Sequence, residues 1–271
     1  MKIGKKDFSI GRRTHIVGIL NVTPDSFFDG GKHCSTEAAI KHALKLIGDG
    51  ADIIEIGGES TRPGHEKVDE HTEMGRILPV IKALVNETDT PIAVDTSKAS
   101  VADAALSSGA SLVNDISCFA YDKMLPEVCA KHDAACVVMH NRGNMEYKNL
   151  LMDVMMDLQR GIYAIEKAGV PPGKIIIDPG IGFSKAVHDN IVILRNLSYF
   201  TSYEYPLMIG TSRKSFMGKI LDFEANERLE ATIATTVLAV SQKVDFVRVH
   251  DVLENKRAAM MADELVRGRH K

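Results

Sequence analysis

Eight short apolar runs, each followed by a longer stretch of helical periodicity, constrain this chain more than any other feature. The runs are residues 15–20 (HIVGIL), 51–58 (ADIIEIGG), 91–96 (PIAVDT), 111–117 (SLVNDIS), 135–140 (ACVVMH), 174–180 (KIIIDPG), 206–211 (PLMIGT) and 245–251 (DFVRVHD). Most are rich in Val and Ile, and they end in polar residues or glycine, the pattern of short strands. Between them, residues 35–50, 68–88, 97–109, 122–133, 150–169, 186–200, 227–243 and 253–268 carry apolar residues at three- and four-residue spacing, which predicts helices. Strands covered on both faces read as continuous apolar runs, and eight strand-helix units in about 250 residues match a (β/α)8 TIM barrel. A doubly wound open sheet is the competing architecture, because periodicity does not report closure. No Pro/Gly/Ser-rich linker divides the chain, so residues 1–271 are read as a single domain. The opening MKIGKKDFSIGRR is expected to form a small hairpin at the barrel floor.

Composition narrows the function. A formal charge of −3 with scattered Lys and Arg argues against a nucleic-acid surface, so an anionic ligand must be met by a local cluster. The apolar run after the basic N-terminus is too short for a signal peptide, and no segment has the length of a membrane span. Cys34, Cys118, Cys129 and Cys136 form no CxxC pair and no zinc spacing, as expected of buried thiols in a reducing, cytoplasmic setting.

In a barrel of this kind the chemistry sits at the C-terminal strand ends. Those ends carry Asn21, Glu59-Ser60-Thr61-Arg62, Asp95, Asn114-Asp115, Met139-His140, Asp178, Ser212-Arg213-Lys214-Ser215 and Arg248, His250 and Asp251. Any one of these could simply cap a neighbouring helix. Polar residues at all eight ends point to a site instead. Asp95, Asn114 and Asp178 are acceptor-rich and suit a planar heterocycle presenting an N–H beside an amino group, which one carboxylate can accept together. Arg62, Arg248 and His250, with Asn21, form a donor cluster suited to phosphates. Ser215 begins a stretch that either binds a carboxylate at a helix start or is an ordinary N-cap.

The motifs NVTPDSFFDGG, GGESTRPG, VDTSK, NDIS, MH, DPGIGF, GTSRKSF and RVHDV, in this order between residues 18 and 252, resemble those of the dihydropteroate synthase family. The resemblance implies a (β/α)8 barrel that joins 6-hydroxymethyl-7,8-dihydropterin diphosphate to p-aminobenzoate and releases pyrophosphate with the help of Mg²⁺. By resemblance, Asp95, Asn114, Asp178 and Lys214 hold the pterin ring, Ile116, Met139 and Phe183 wall it, and Arg248 lies against it. Asn21, which also matches the metal position, lines the diphosphate end with Thr61, Arg62, Arg248 and His250. Phe27, Pro63, Lys214 and Ser215 match positions around p-aminobenzoate.

The same resemblance gives the loops beginning NVTPDSFFDGG and STRPG a purpose: a lid with Gly30 and Gly31 as hinges, and with Asp29 as an anion near a developing cation. Asp29, Lys214, Arg248 and His250 are therefore the expected catalytic group, in a reaction that ionises before the amine attacks. Asn141-Arg142 and Ser184 depart from residues common in the family. Two alternatives stay open on sequence, a pterin-binding methyltransferase and a pterin-binding barrel without catalysis. A homodimer is expected from the family, and the apolar stretch ATIATTVLAVSQK is compatible with one.

Overall fold

In the computed structural model, residues 1–23, 32–59 and 68–268 are described, with residues 32–35 in backbone only. The expected hairpin is present: β1 (Lys2–Ile3) pairs antiparallel with β2 (Lys6–Asp7) around Gly4 at φ +56°. The eight predicted runs become parallel strands β3 (His15–Asn21), β4 (Ile53–Gly57), β5 (Ile92–Asp95), β6 (Leu112–Asp115), β7 (Ala135–Met139), β8 (Ile175–Asp178), β9 (Met208–Ile209) and β10 (Phe246–Val249). Hydrogen-bonded neighbours run β8-β7-β6-β5-β4-β3-β10-β9. An isolated parallel bridge between Ile177 and Leu207, with the Ile177 N–H donating to Pro206 O at 2.9 Å, brings the two ends together. The sheet is a barrel, and the open-sheet alternative falls.

Alternation along the strands explains why the barrel is filled. Ile16, Leu20, Ile54, Ile56, Val94, Val113, Val138, Ile177, Ile209 and Val247 belong to the outer core under the helices. Val17, Ile53, Ala93, Leu112, Ala135, Val137, Ile176, Met208 and Phe246 form a second, interior core, into which Ile3 and Phe8 of the hairpin region also pack. The hairpin thus plugs the floor. Burying one such aliphatic side chain stabilises the fold by roughly 1.5–3 kcal/mol, so the apolar floor fixes the strand register.

Period two has a further consequence. Two residues beyond Ile53, Ala93, Leu112, Val137, Ile176, Met208 and Phe246 stand Glu55, Asp95, Asn114, Met139, Asp178, Gly210 and Arg248. They point the same way as the floor residues, one layer up.

The helices are α1 (Lys32–Gly48), α2 (Glu70–Glu87), α3 (Ala99–Ser107), α4 (Leu125–Lys131), α5 (Leu150–Lys167), α6 (Val187–Arg195), α7 (Leu197–Thr201), α8 (Ser215–Leu221), α9 (Leu229–Ser241) and α10 (Val252–Arg267). Two differ from the sequence reading. The single helix expected over 186–200 is broken at Asn196, whose φ of −125° and ψ of 34° leave helical space. The seven-residue α8 begins at Ser215, where the sequence placed a helix start, but it is a separate helix outside the eight periodic stretches, too short to show a full period. Asp69 and Asn149 cap α2 and α5 by accepting from the N–H groups of Thr72 and Met152. Among the described residues no helix is long and apolar enough to cross a membrane.

Candidate active site

A pocket at the C-terminal end of the barrel is lined by Asp95, Asn114, Ile116, Met139, Asp178, Ile181, Phe183, Gly210, Lys214 and Arg248. Eight of these are the residues that the family resemblance assigns to the pterin ring. Ile181 and Gly210 are additions. A Cβ on Gly210 would lie 3.5 Å from Arg248 Cδ, in ordinary contact, so this strand end packs directly against the Arg248 side chain.

The pocket is strongly polar although buried. Arg248 donates through Nε to Glu55 and through an Nη to Asp95 at 3.0 Å. The Glu55 carboxylate, 1% exposed, also accepts from Asn114 Nδ2 at 2.9 Å. Sequence reasoning missed Glu55, which looks like a lone polar residue inside an apolar strand; its partners lie 59 and 193 residues away. Asp178 accepts from the Gly180 N–H at 2.7 Å. Lys214 Nζ sits 3.9 Å over the Phe183 ring.

Burial dominates the titration of these groups. It pushes Asp178 up to about 6, against the pull of the Gly180 N–H, Lys214 and Arg248. Burial and the neighbouring Glu55 carboxylate push Asp95 to about 7. Burial and Arg248 bring Lys214 down to about 8, leaving it a cation at neutral pH. The cavity therefore combines acceptor oxygens on one side with two cations on the other.

The turn after β8 is shaped from below. A Cβ on Gly180 would lie 1.9 Å from His140 O, so only glycine fits this approach. The buried Lys185 ammonium lies 2.8 Å from His140 Nδ1 and donates to the carbonyls of Gly180 and Phe183 at 3.0 Å each. His140, fully buried and lowered to about 3 by burial, meets Asp157 through Nε2 at 3.2 Å. His140 therefore supports the turn and is not a ligand-facing group. Asp115 accepts from Ser97, Ser117 and the Phe119 N–H, and Asp251 pairs with Arg213 at 2.6 Å. Both carboxylates are taken up by these neighbours and hold the adjoining loops.

His250 lies beyond the end of β10, half-buried. Ser212 Oγ accepts its backbone N–H at 3.1 Å and lies 2.9 Å from its Nδ1. One hydroxyl proton given to Nδ1 leaves Nε2–H as the outward donor. Ser215 is the exposed first residue of α8, and Lys214, not Ser215, occupies the N-cap, without a side-chain capping bond. Asn21 closes β3, paired in register with Gly57, itself paired with Asp95. The expected Phe27, Asp29, Gly30, Gly31, Thr61, Arg62 and Pro63 lie outside the described residues.

Comparison with known proteins agrees with this geometry. Residues 17–250 match the pterin binding enzyme family. Dihydropteroate synthase of Clostridium beijerinckii is 51% identical over 268 residues, covering 98% of this chain and all of that one. The chain belongs to the dihydropteroate synthase family. The structure of the synthase from Clostridium difficile, determined in the presence of pteroic acid, superimposes with a TM-score of 0.94 at 48% identity, over 96% of this chain and 100% of that one. The Xanthomonas albilineans synthase with 4-aminobenzoic acid gives 0.90 at 36% identity, over 94% of each chain. With synthases matching over nearly the whole chain, the methyltransferase alternative has nothing left to support it.

Within this synthase fold the two departures noted in the sequence meet each other. Ser184, at φ +46°, places Oγ 2.7 Å from Asn141 Oδ1 and against the Arg142 carbonyl, while Tyr147 donates to the Ser184 carbonyl at 2.7 Å. Arg142 lies over the Tyr147 ring and pairs with Asp157. The hydroxyl and amide thus stitch two rim loops together and offset a backbone conformation that otherwise favours glycine.

Proposed function

We propose that this chain condenses 6-hydroxymethyl-7,8-dihydropterin diphosphate with p-aminobenzoate, giving 7,8-dihydropteroate and pyrophosphate. The observation that carries the reading is the set of acceptor oxygens on Asp95, Asn114 and Asp178 in one pocket with the cations of Lys214 and Arg248. A flat ring with adjacent N–H and amino donors satisfies those acceptors between the apolar walls of Ile116, Met139 and Phe183. Its diphosphate then extends towards Arg248, His250 and Asn21, with Thr61 and Arg62 assigned there by family resemblance alone. The p-aminobenzoate is assigned to Phe27, Pro63, Lys214 and Ser215 on the same ground.

In this mechanism the bond between the methylene carbon and the diphosphate oxygen breaks first, and the pyrophosphate leaves with the electron pair. The dihydropterin ring spreads the resulting positive charge, and the buried carboxylates of Asp95 and Asp178 stabilise it in a site with little water. The amine nitrogen then forms the new C–N bond and sheds a proton. Asp29 is assigned as an additional anion near the cation by family resemblance alone, and water must be kept from capturing the cation before the amine does.

Mg²⁺ is the expected metal, and the residues present fit it. Among the described residues no group of three His, Cys, Asp or Glu could hold a metal. Mg²⁺ does not need one, since it is commonly bound by one or two protein oxygens and substrate phosphates. Asn21 Oδ1 and Asp95 Oδ2 lie 3.7 and 3.8 Å from where a Cβ on Gly57 would sit, so glycine leaves the space between them uncovered. Asn21 is the proposed protein ligand, and Mg²⁺ bound there would supply charge neutralisation for the diphosphate.

The proposed assembly is a homodimer through α9 and its neighbours. Helix α9 buries Thr232, Thr236, Ala239 and Val240 while exposing Val237 (41%) and Leu238 (37%), an apolar face that a second copy would cover. Cys118, Cys129 and Cys136 are free thiols, in keeping with a reducing cytoplasmic setting.

Pyrophosphate release from the dihydropterin diphosphate, measured with and without p-aminobenzoate, tests the reading. Release that requires p-aminobenzoate supports it. Release indifferent to p-aminobenzoate, or none, overturns it.

A further inference from the structure

Asn114 is 3% exposed, and its Oδ1 has no hydrogen-bond partner among the described residues. An unpaired buried carbonyl oxygen is costly, and this one belongs to a residue lining the pocket. An asparagine amide can turn over, presenting either an acceptor or a donor to a ligand, and the choice depends on what holds its other end. Here the other end is held by Glu55. As the carboxylate of an ion pair with Arg248, Glu55 can only accept, so it captures Nδ2 of Asn114 at 2.9 Å and leaves Oδ1 as the free atom.

We propose that Glu55 is a specificity-determining positioning residue: by holding Asn114 and Arg248 together, it sets the hydrogen-bond polarity of the pocket so that a donor-edged ring is accepted and an acceptor-edged one refused. Glu55 itself does not line the pocket; it acts through the two residues it grips. One carboxylate oxygen serves Asn114 and the other serves Arg248 Nε, while Arg248 passes on to Asp95 at 3.0 Å. The side chain is buried in the layer just above the apolar barrel floor, so neither oxygen can exchange its partner for bulk water. Three strands, β4, β6 and β10, are thereby locked to one donor and acceptor arrangement. An oxo group placed against Asn114 Oδ1 would bring two acceptors together without a proton between them, which a buried site penalises more than a missing contact.

The inference rests on the reading of this cavity as the pterin pocket. Calorimetry with 6-hydroxymethylpterin and with 6-hydroxymethyllumazine, which carries an oxo group where the pterin has an amino group, measures the discrimination directly. In Glu55→Gln the new amide can donate as well as accept, so Asn114 is free to turn over. The ratio of the two dissociation constants then falls by about tenfold, as expected for one hydrogen bond and the clash that replaces it. The double variant Glu55→Gln/Asn114→Asp exchanges donor and acceptor between the two positions, again leaving only an acceptor towards the ligand. It restores most of the ratio, whatever its effect on absolute affinity. A role in packing alone would weaken both ligands in parallel and leave the ratio unchanged in both variants; that result overturns the proposal. Asp178→Asn separates the two levels of the argument. If it leaves pterin binding intact, the cavity is not the pterin pocket and both readings fall. If it abolishes discrimination while Glu55→Gln does not, only the role of Glu55 falls.

Discussion

Lys98 and Glu73 form an ion pair 2.6 Å apart, and the carboxylate is 1% exposed. The same ammonium donates to Glu59 at 2.5 Å and to the Val68 carbonyl at 2.8 Å, which are the described residues on either side of 60–67. One lysine, at the N-cap of α3, therefore joins α2 to both flanks of that segment. Lys98→Met would leave Glu73 buried without a counter-charge, and removing one partner of a buried pair typically costs about 3 kcal/mol. Urea unfolding should show a loss of that order. Glu73→Leu added to Lys98→Met should return part of it, because the uncompensated charge is then gone.

Asp178→Asn should weaken a pterin analogue by about 1.5 to 3 kcal/mol, the scale of a hydrogen bond to a charged group, and leave pyrophosphate binding unchanged. An amide offers one acceptor oxygen where the carboxylate offers two. Calorimetry with each ligand separately makes the comparison, and equal weakening of both would remove Asp178 from the ring site.

The raised titration of Asp178 gives a pH dependence with a definite sign. A donor-edged ring binds the carboxylate form, so affinity should be level above about pH 7 and fall as pH drops through about 6. Folding runs the other way. Asp178 titrates near 6 in the folded chain against an ordinary 3.8, so its contribution to stability is fully present below 3.8 and is lost as pH rises through 6. Asp178→Asn should therefore bind pterin weakly with a flattened pH response, yet be more stable than the parent at pH 8. Binding titrations from pH 5 to 8 and thermal unfolding at pH 8 check the two halves.

His250 is lowered to about 3 by burial and by Arg248, so it is neutral throughout the physiological range and can serve phosphate only as an Nε2–H donor. His250→Ala should raise KM for the diphosphate substrate while binding of a phosphate-free pterin changes little, and the difference should not vary between pH 6 and 8. Steady-state kinetics paired with calorimetry would expose the reverse pattern if His250 acted on the ring.

Leu238→Glu, alone or with Val237→Glu, places charge on the exposed apolar face of α9. Sedimentation should show the parent as a dimer and the variant shifted towards monomer, with secondary structure retained. A parent that sediments as a monomer at micromolar concentration would eliminate this interface.

Much of the architecture was legible because it follows from local periodicity. Runs such as Ile175–Asp178 are covered on both faces, so their residues are apolar whichever way they point. The change from apolar to polar at strand ends likewise marked Asn21, Asp95, Asn114, Asp178 and Arg248 without any knowledge of closure. The break at Asn196 was not legible, because it is decided within a single turn, and of α8 only the start at Ser215 could be read, because seven residues hold too few repeats to detect.

The sequence by itself determined eight strand-helix units and the polar strand ends, among them the acceptors Asp95, Asn114 and Asp178, since each depends only on chain order and local pattern, while the full set of residues around the ring came from family resemblance. Tertiary structure alone decided that Glu55 would be the buried partner of Asn114 and Arg248, that Ser184 would bridge to Asn141, and that Lys98 would join Glu59 to Val68. Those pairings are set by how far each strand is staggered against its neighbours as the sheet closes. That stagger brings together residues as distant as 55 and 248, and no local pattern records it.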